Sequence, residues 1–412
     1  MADAMQNTHG GMRTTAAARP PADKWRQHFT LDLPRPSPGC VWVHACSMGE
    51  VGSVAPLIRW LLSEGQRVHL SVVTRTGFAH GERLFGDSVS IAYLPWDLPG
   101  LMPRFIRRLR PALLLLTETE FWPGMLGACR RQNIPVIGIN TRISDRSFPR
   151  YRASRALWRR WLGDVRLFLP QSDTDAERLA AIGIDPDRIR VAGNLKYAIT
   201  PPEVDASALR QRLDTTRKRP ILLVASTHAD EESRILAMWP EWKQLQPELL
   251  LVIVPRHPER FDAVADAIDA TTPAWLRWSS MSAAPPQSDI ILIDAMGVLQ
   301  QLYCIADIAV IGGSLADVGG HNPLEAAVCG RGVVTGPHVH NFRDVMQEMQ
   351  AAGGAIVASD DNELQAAVAR LLQKADELRQ LNAHAALFMQ DKGAVLPRLC
   401  DAIAPWLPGI EE

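Results

Sequence analysis

The stretch CVWVHACSMGEVGSVAPLIRWLLSEGQRVHLSVVT, residues 40–74, reads as a strand, a turn, a helix and a second strand. Val41–Ala45 is a short, nearly continuous apolar run of strand length. Val51–Glu64 carries apolar residues at helical spacing. Val68–Thr74 returns to strand character. Apolar strands joined through a helix belong to a parallel sheet covered on both faces, with right-handed crossovers. Working outward, the same alternation repeats. Ile91–Leu94, Leu113–Leu116, Pro135–Ile139, Leu167–Pro170 and Ile189–Val191 read as strands, with a helix over Gly124–Gln132. The pattern breaks at Thr200–Pro202 and a polar stretch through Lys218, then restarts. Strands are expected at Ile221–Ala225, Leu249–Val254, Ile290–Ile293, Ile308–Ile311, Val333–Thr335 and Ala355–Val357. Helices are expected at Glu231–Leu245, Glu259–Asp269 and Pro323–Cys329, and from Asn362 to about Leu407.

The chain is thus expected to be α/β: a flexible polar tail over 1–35, then two Rossmann-like doubly wound domains at 36–200 and 201–412, with a hinge near Thr200. The 412 residues fit two domains, at ~100–200 residues each. Ligands of such folds bind beyond the carboxyl ends of the strands, so the chemistry is expected in a cleft between the domains.

Bulk properties narrow the function classes. Hydrophobic content of 47% and charged content of 22% exclude a disordered or fibrous chain. A net charge of −1 gives no electrostatic case for nucleic-acid binding. Six scattered cysteines lack CxxC or zinc-type spacing and read as reduced core residues. No stretch approaches the ~18 apolar residues of a membrane-spanning helix, and the N-terminal residues lack the apolar region of a secretory signal.

Polar residues and glycines gather where strands should end. His44-Ala45-Cys46-Ser47-Met48-Gly49-Glu50 leads from a strand into a helix. Glu50 there either completes the helix dipole or serves as a general base facing the cleft, with Ser47 and Gly49 beside it. Thr117-Glu118-Thr119-Glu120 follows an apolar strand, and continued alternation would put Glu118 and Glu120 on one face. Arg142 opens an arginine-rich run, through Arg160, interleaved with Tyr151, Trp158 and Trp161. Such a run suits an anionic acceptor or lipid surface, or is a solvated helix face over core aromatics. Pro255-Arg256-His257, Gly312-Gly313-Ser314 and Gly319-Gly320-His321-Asn322-Pro323-Leu324-Glu325 each end a strand or enter a helix. Glycine-rich entries to helices cradle phosphate, Glu325 could grip a ribose diol, and Asn322 could equally be a plain cap.

Other motifs fail. There is no G-x-S-x-G, P-loop or G-x-G-x-x-G. Asp173-Thr174-Asp175 reads as a helix start before it reads as a metal site, and His338 and His340 as loop residues.

Taken together, the stretches HACSMGEV, YLPWDLP, TETEFWP, NTRISDRS, AGNLK, ASTHADEES, VPRHPERF and GGSLADVGGHNPLEAA, in this order over residues 41–345, resemble the 3-deoxy-D-manno-octulosonic acid (Kdo) transferases of lipopolysaccharide synthesis. The resemblance implies a GT-B fold, CMP-Kdo as donor, a lipid A precursor (lipid IVA) as acceptor, and inverting transfer without metal or cofactor on the cytoplasmic face of the inner membrane. It implies Glu50 as general base, and Glu118 and Lys196 as transition-state stabilisers. Pro255, Arg256, Met296, Gly297, Asn322, Pro323, Leu324 and Glu325 match donor contacts. Val298 stands where many relatives carry Glu, so a contact there is expected through backbone. Many relatives begin with an apolar anchoring segment, whereas this chain begins with polar residues. Peripheral contact with an anionic membrane surface is then expected from Leu98–Arg110 or the Arg/Trp run. The alternatives are another GT-B nucleotide-sugar enzyme and a non-catalytic paralogue.

Overall fold

A computed structural model describes residues 23–214, 216, 218–272, 274–281 and 288–409, which divide into two units: 23–192 with 399–409, and 193–398. The first unit holds six parallel strands, β1 (Val41–His44), β2 (Val68–Val72), β3 (Ser90–Tyr93), β4 (Leu113–Thr117), β5 (Val136–Thr141) and β6 (Leu167–Pro170). Their order is β3-β2-β1-β4-β5-β6. The apolar runs exist because both faces are covered: Leu113 to Leu116 are each 0% exposed. Burying one such side chain contributes about 1.5–3 kcal/mol, and outweighs the strand's weak local preference for Leu.

The second unit holds β7 (Ile221–Thr227), β8 (Leu250–Pro255), β9 (Trp275–Arg277), β10 (Ile290–Leu292), β11 (Ile308–Ile311), β12 (Val333–Thr335) and β13 (Ala355–Val357). Their order is β13-β12-β11-β7-β8-β10-β9, again all parallel. Each sheet reverses winding once: between β1 and β4 in the first, and between β7 and β11 in the second. Doubly wound folds bind ligands at these switch points; HACSMGEV, TETEFWP, ASTHADEES and GGSLADVGGHNPLEAA follow the strands that flank them, whereas YLPWDLP follows the edge strand β3.

Several expectations need correction. Ile189–Val191 is not a strand; Ile189 makes one isolated bridge to Phe168. β9, short and half-buried, was not anticipated. Residues 23–35 are not a loose tail. The helix Lys24–His28 is capped by Asp23, His28 is buried and bonds the Leu94 carbonyl through Nδ1 at 2.7 Å, and the Tyr93 amide donates to Gln27. The rest of the proposed tail lies outside the described residues. The units divide at 192/193 rather than 200/201, and 399–409 group with the first. There Gln66 donates to the Pro408 carbonyl.

Candidate active site

In the first unit, β1 delivers the chain to the helix Met48–Ser63, whose cap is Ser47. The Glu50 amide donates to Ser47 Oγ at 3.4 Å, and Ser47 Oγ–H donates to Glu50 Oε1 at 3.0 Å. Glu50 Oε2 accepts from the Cys46 amide at 2.9 Å and from the Thr117 hydroxyl at 3.0 Å. This is a reciprocal cap of the Ser-x-x-Glu kind, and that spacing was legible in the sequence. It also anchors Glu50 to β4, so the carboxylate spans the switch point in a fixed position.

Glu118 and Glu120 do not share a strand face. β4 ends at Thr117 and Glu118 adopts a left-handed conformation, φ 49°. Such a backbone is uncommon outside glycine and concentrates at functional sites. Glu118 is held there by donating its amide to the Ile139 carbonyl. Burial pushes its carboxyl up to about 7, the nearby Glu50 and Glu120 charges add to this, and Arg142 opposes. Glu120 goes the other way. Burial raises it, but the His44 imidazole and the Trp122 indole outweigh that and hold it below the usual range. Trp122 Nε1–H donates to Glu120 Oε2 at 2.8 Å, and His44 Nε2 lies 3.9 Å from the same oxygen. His44 is fully buried, with Nδ1 against Ser71 Oγ at 2.9 Å.

Cys46, Glu50 and Glu120 each place one ligand-type atom within 4.8 Å of the others. The fit to a metal is poor. Burial and the surrounding carboxylates push the Cys46 thiol up to about 12, and both Glu50 oxygens already accept hydrogen bonds.

Beside this cluster opens a cavity of about 500 Å³ lined by Lys24, Trp25, Arg75, Trp96, Asp97 and Trp122, among others. Trp25, Trp96 and Trp122 are exposed, and Phe29 stacks on Trp96. Asp97, from YLPWDLP, accepts from the Gly124 amide at 2.7 Å and so ties that motif to TETEFWP. Sequence reasoning missed this wall, because Trp25 and Phe29 lie in what reads as a tail. Leu98–Arg110 turns its apolar residues inward and leaves Leu98 and its arginines on the surface. Met102, Phe105, Ile106 and Leu109 are buried in the core. In the arginine-rich run the guanidinium groups from Arg142 to Arg160 are exposed, while Tyr151 and Trp158 pack on the core. Among the described residues no helix is long and apolar enough to cross a membrane.

In the second unit the Gly312-Gly313-Ser314 loop is not an open phosphate cradle. The buried carboxylate of Glu231 fills it, accepting from the amides of Gly313, Ser314, Leu315 and Ala316 at 2.7–3.2 Å, and from His228 at 2.9 Å. The close approach requires glycine: a Cβ on Gly312 would sit 2.6 Å from the Ser226 carbonyl oxygen. Glu232, also buried, accepts from Thr227 and Arg260. The two glutamates of ASTHADEES therefore brace the donor-type motifs, a role that their charge in an apolar setting could have suggested.

Around that brace lie Arg256, exposed at the end of β8, and His228, whose Nε2 is 2.8 Å from His321 Nε2. Burial, with help from His228 and Arg256, lowers His321 to about 4, so the pair is neutral at ordinary pH. Burial raises Glu325, partly countered by Arg256. The expected helix Pro323–Cys329 shortens to one turn, Leu324–Ala327. A macrodipole needs more aligned peptides than that, so local amides and Arg256 carry the positive potential. Asn322 Oδ1 accepts from the Leu324 amide at 3.1 Å. The side chains of Leu324 and Val298 pack on the core, leaving backbone for any ligand contact. Met296 is exposed and Gly297 has φ 83°. Lys196 lies in the one-turn helix Leu195–Tyr197 of this unit, with Nζ over the Tyr197 ring.

A family model described as 3-Deoxy-D-manno-octulosonic-acid transferase (kdotransferase) matches residues 23–199. The 3-deoxy-D-manno-octulosonic acid transferase of Haemophilus influenzae is 36% identical over 383 residues, covering 90% of this chain and 88% of the relative. That of Bordetella pertussis is 34% identical over 383 residues, covering 91% and 89%. Among solved structures, the UDP-GlcNAc 2-epimerase of Neisseria meningitidis bound to UDP-GlcNAc matches with a TM-score of 0.53 at 14% identity, over 88% of this chain and 99% of that one. This last likeness concerns fold alone and places the two doubly wound units in the GT-B type. The chain belongs to the 3-deoxy-D-manno-octulosonic acid transferases, a glycosyltransferase family.

Proposed function

We propose that this chain transfers Kdo from CMP-Kdo to the lipid A precursor lipid IVA, with inversion in a single displacement and without a metal. The observation that carries the reading is the Glu50–Glu118–Glu120 cluster at the β1/β4 switch point, beside an aromatic cavity. Glu50, fixed by its cap, takes the proton from the attacking sugar hydroxyl. Glu118, carrying a proton up to about pH 7, donates a hydrogen bond to the carboxylate of the donor sugar. A third full negative charge would repel a donor that bears both carboxylate and phosphate. Arg256 and Lys196 stabilise the charge that develops on the departing CMP phosphate, a task that a metal would otherwise perform. Backbone at Gly297, Val298, Pro323 and Leu324, with Pro255, Met296, Asn322 and Glu325, holds the nucleotide. The tryptophan-lined cavity takes the apolar part of the acceptor, and the arginines from Arg142 to Arg160 face its phosphates and the anionic membrane surface at the cytoplasmic side of the inner membrane.

The test is a transfer assay with purified protein, CMP-Kdo formed in situ, tetra-acylated lipid A precursor and EDTA after donor synthesis, with products read by mass spectrometry. Mass gains of whole Kdo units that vanish in Glu50→Ala support the reading. Intact CMP-Kdo with unmodified acceptor overturns it, and product that disappears only with EDTA overturns metal independence.

A further inference from the structure

Cys304 and Cys329 stand apart from the transfer chemistry. Their sulfurs are 2.7 Å apart, closer than two uncharged sulfurs rest in ordinary contact. Both lie near the Gln300 carbonyl, at 3.8 and 3.9 Å, and both are half-buried and so reachable from solvent. Cys304 caps the helix Leu299–Tyr303 and Cys329 follows the helix Leu324–Ala327. Arg331 donates to the Cys304 carbonyl at 3.0 Å and fixes the two chain segments against each other.

We infer that Cys304 and Cys329 form a reversible disulfide when the protein meets a peroxide, closing a covalent loop across the second unit. One sulfur attacks the peroxide oxygen, the O–O bond breaks and water leaves, giving a sulfenic acid. The second sulfur then displaces that hydroxyl as a second water, and the S–S bond forms. Two thiols are oxidised and one peroxide is reduced to two waters. A second thiol within reach resolves the sulfenic acid before further oxidation. The ring spans a sequence separation of 25 residues and encloses β11, the Gly312-Gly313-Ser314 loop and the Asn322–Glu325 turn. Cross-linking restricts open states of the enclosed chain, so hydrogen exchange across residues 305–328 slows.

The experiment treats the full-length protein with hydrogen peroxide. It then maps peptides without reduction, counts free thiols in denaturant and follows hydrogen exchange. The expected result is a peptide pair joined through Cys304 and Cys329, a fall from six thiols to four, slower exchange over 305–328, and full reversal by dithiothreitol. Cys304→Ser and Cys329→Ser should each abolish the cross-link and the slowing. Oxidation of either sulfur to sulfinic acid without a cross-link, or a cross-link to a different cysteine, overturns the inference. If a serine variant fails to fold, the peptide map of the unaltered chain decides alone. None of the three readouts requires transfer activity, so failure here is distinct from failure of the proposed function.

Discussion

Replacing Glu231 with Gln removes one oxygen acceptor from a buried site built for two. Oε1 takes the amides of Ser314, Leu315 and Ala316, and Oε2 takes those of His228 and Gly313. The best orientation of a glutamine turns its NH₂ toward the smaller group, so two buried N–H donors face another donor. Each orphaned group costs about 1–3 kcal/mol, and the three remaining bonds weaken on losing their charged acceptor. The sum is about 4 kcal/mol, concentrated on the Gly312–Ala316 loop. At about 1.4 kcal/mol per tenfold, amide-exchange protection there should fall about a thousandfold. Exchange read by mass spectrometry on peptides covering 312–317 measures this, with peptides from the first unit as internal control. Protection within tenfold of the parent chain would refute the claim that this carboxylate holds the loop.

Glu50→Gln separates base from cap, since glutamine also serves at that cap position. Turnover should drop about 10²–10⁴-fold while the denaturation midpoint stays put, and a matching loss of stability would mean that Glu50 is structural only. Glu118→Gln should trade activity for stability. The folded chain holds that proton up to about pH 7 and the unfolded chain releases it near pH 4.3. Native stability therefore falls as pH rises between these values, and the penalty is complete above pH 7. The variant should gain at most about 4 kcal/mol at pH 8 and little at pH 4. It should also lack the decline in kcat/KM above about pH 7 expected of the parent, and an unchanged pH profile would sink the assignment. Trp96→Ala removes an aromatic wall of the acceptor cavity, so acceptor KM should rise about tenfold or more with donor KM unchanged. Equal rises in both would move the cavity's role elsewhere.

Much of the fold was legible because parallel sheets buried on both faces write themselves as apolar runs, as Leu113–Leu116 does. Strand ends were less legible. That Glu118 leaves β4 in a left-handed turn depends on the Ile139 carbonyl, a contact between distant segments that periodicity cannot show. The glycine loop after β11 reads as a phosphate cradle, but its occupant, Glu231, comes from more than eighty residues earlier. The aromatic wall was hidden for a similar reason. Trp25 and Phe29 read as part of a polar tail until Trp96 packs against them, stacked on Phe29 and tilted to Trp25. Glu50 was legible as an acidic residue at a helix start, because residue type and spacing sit within one turn, but its bond to Thr117 on β4 was not.

The return of residues 399–409 to the first unit bears on how the chain is made. That unit's other residues, through Ala192, leave the ribosome long before its final segment exists. At synthesis rates of 5–20 residues per second, the roughly 200 intervening residues impose a wait of about 10–40 s. During it, the surface around Gln66 that later receives the Pro408 segment is uncovered. The nascent first unit is therefore a natural client for chaperones, and a stop codon that removes only the last dozen residues would harm the half of the protein made first.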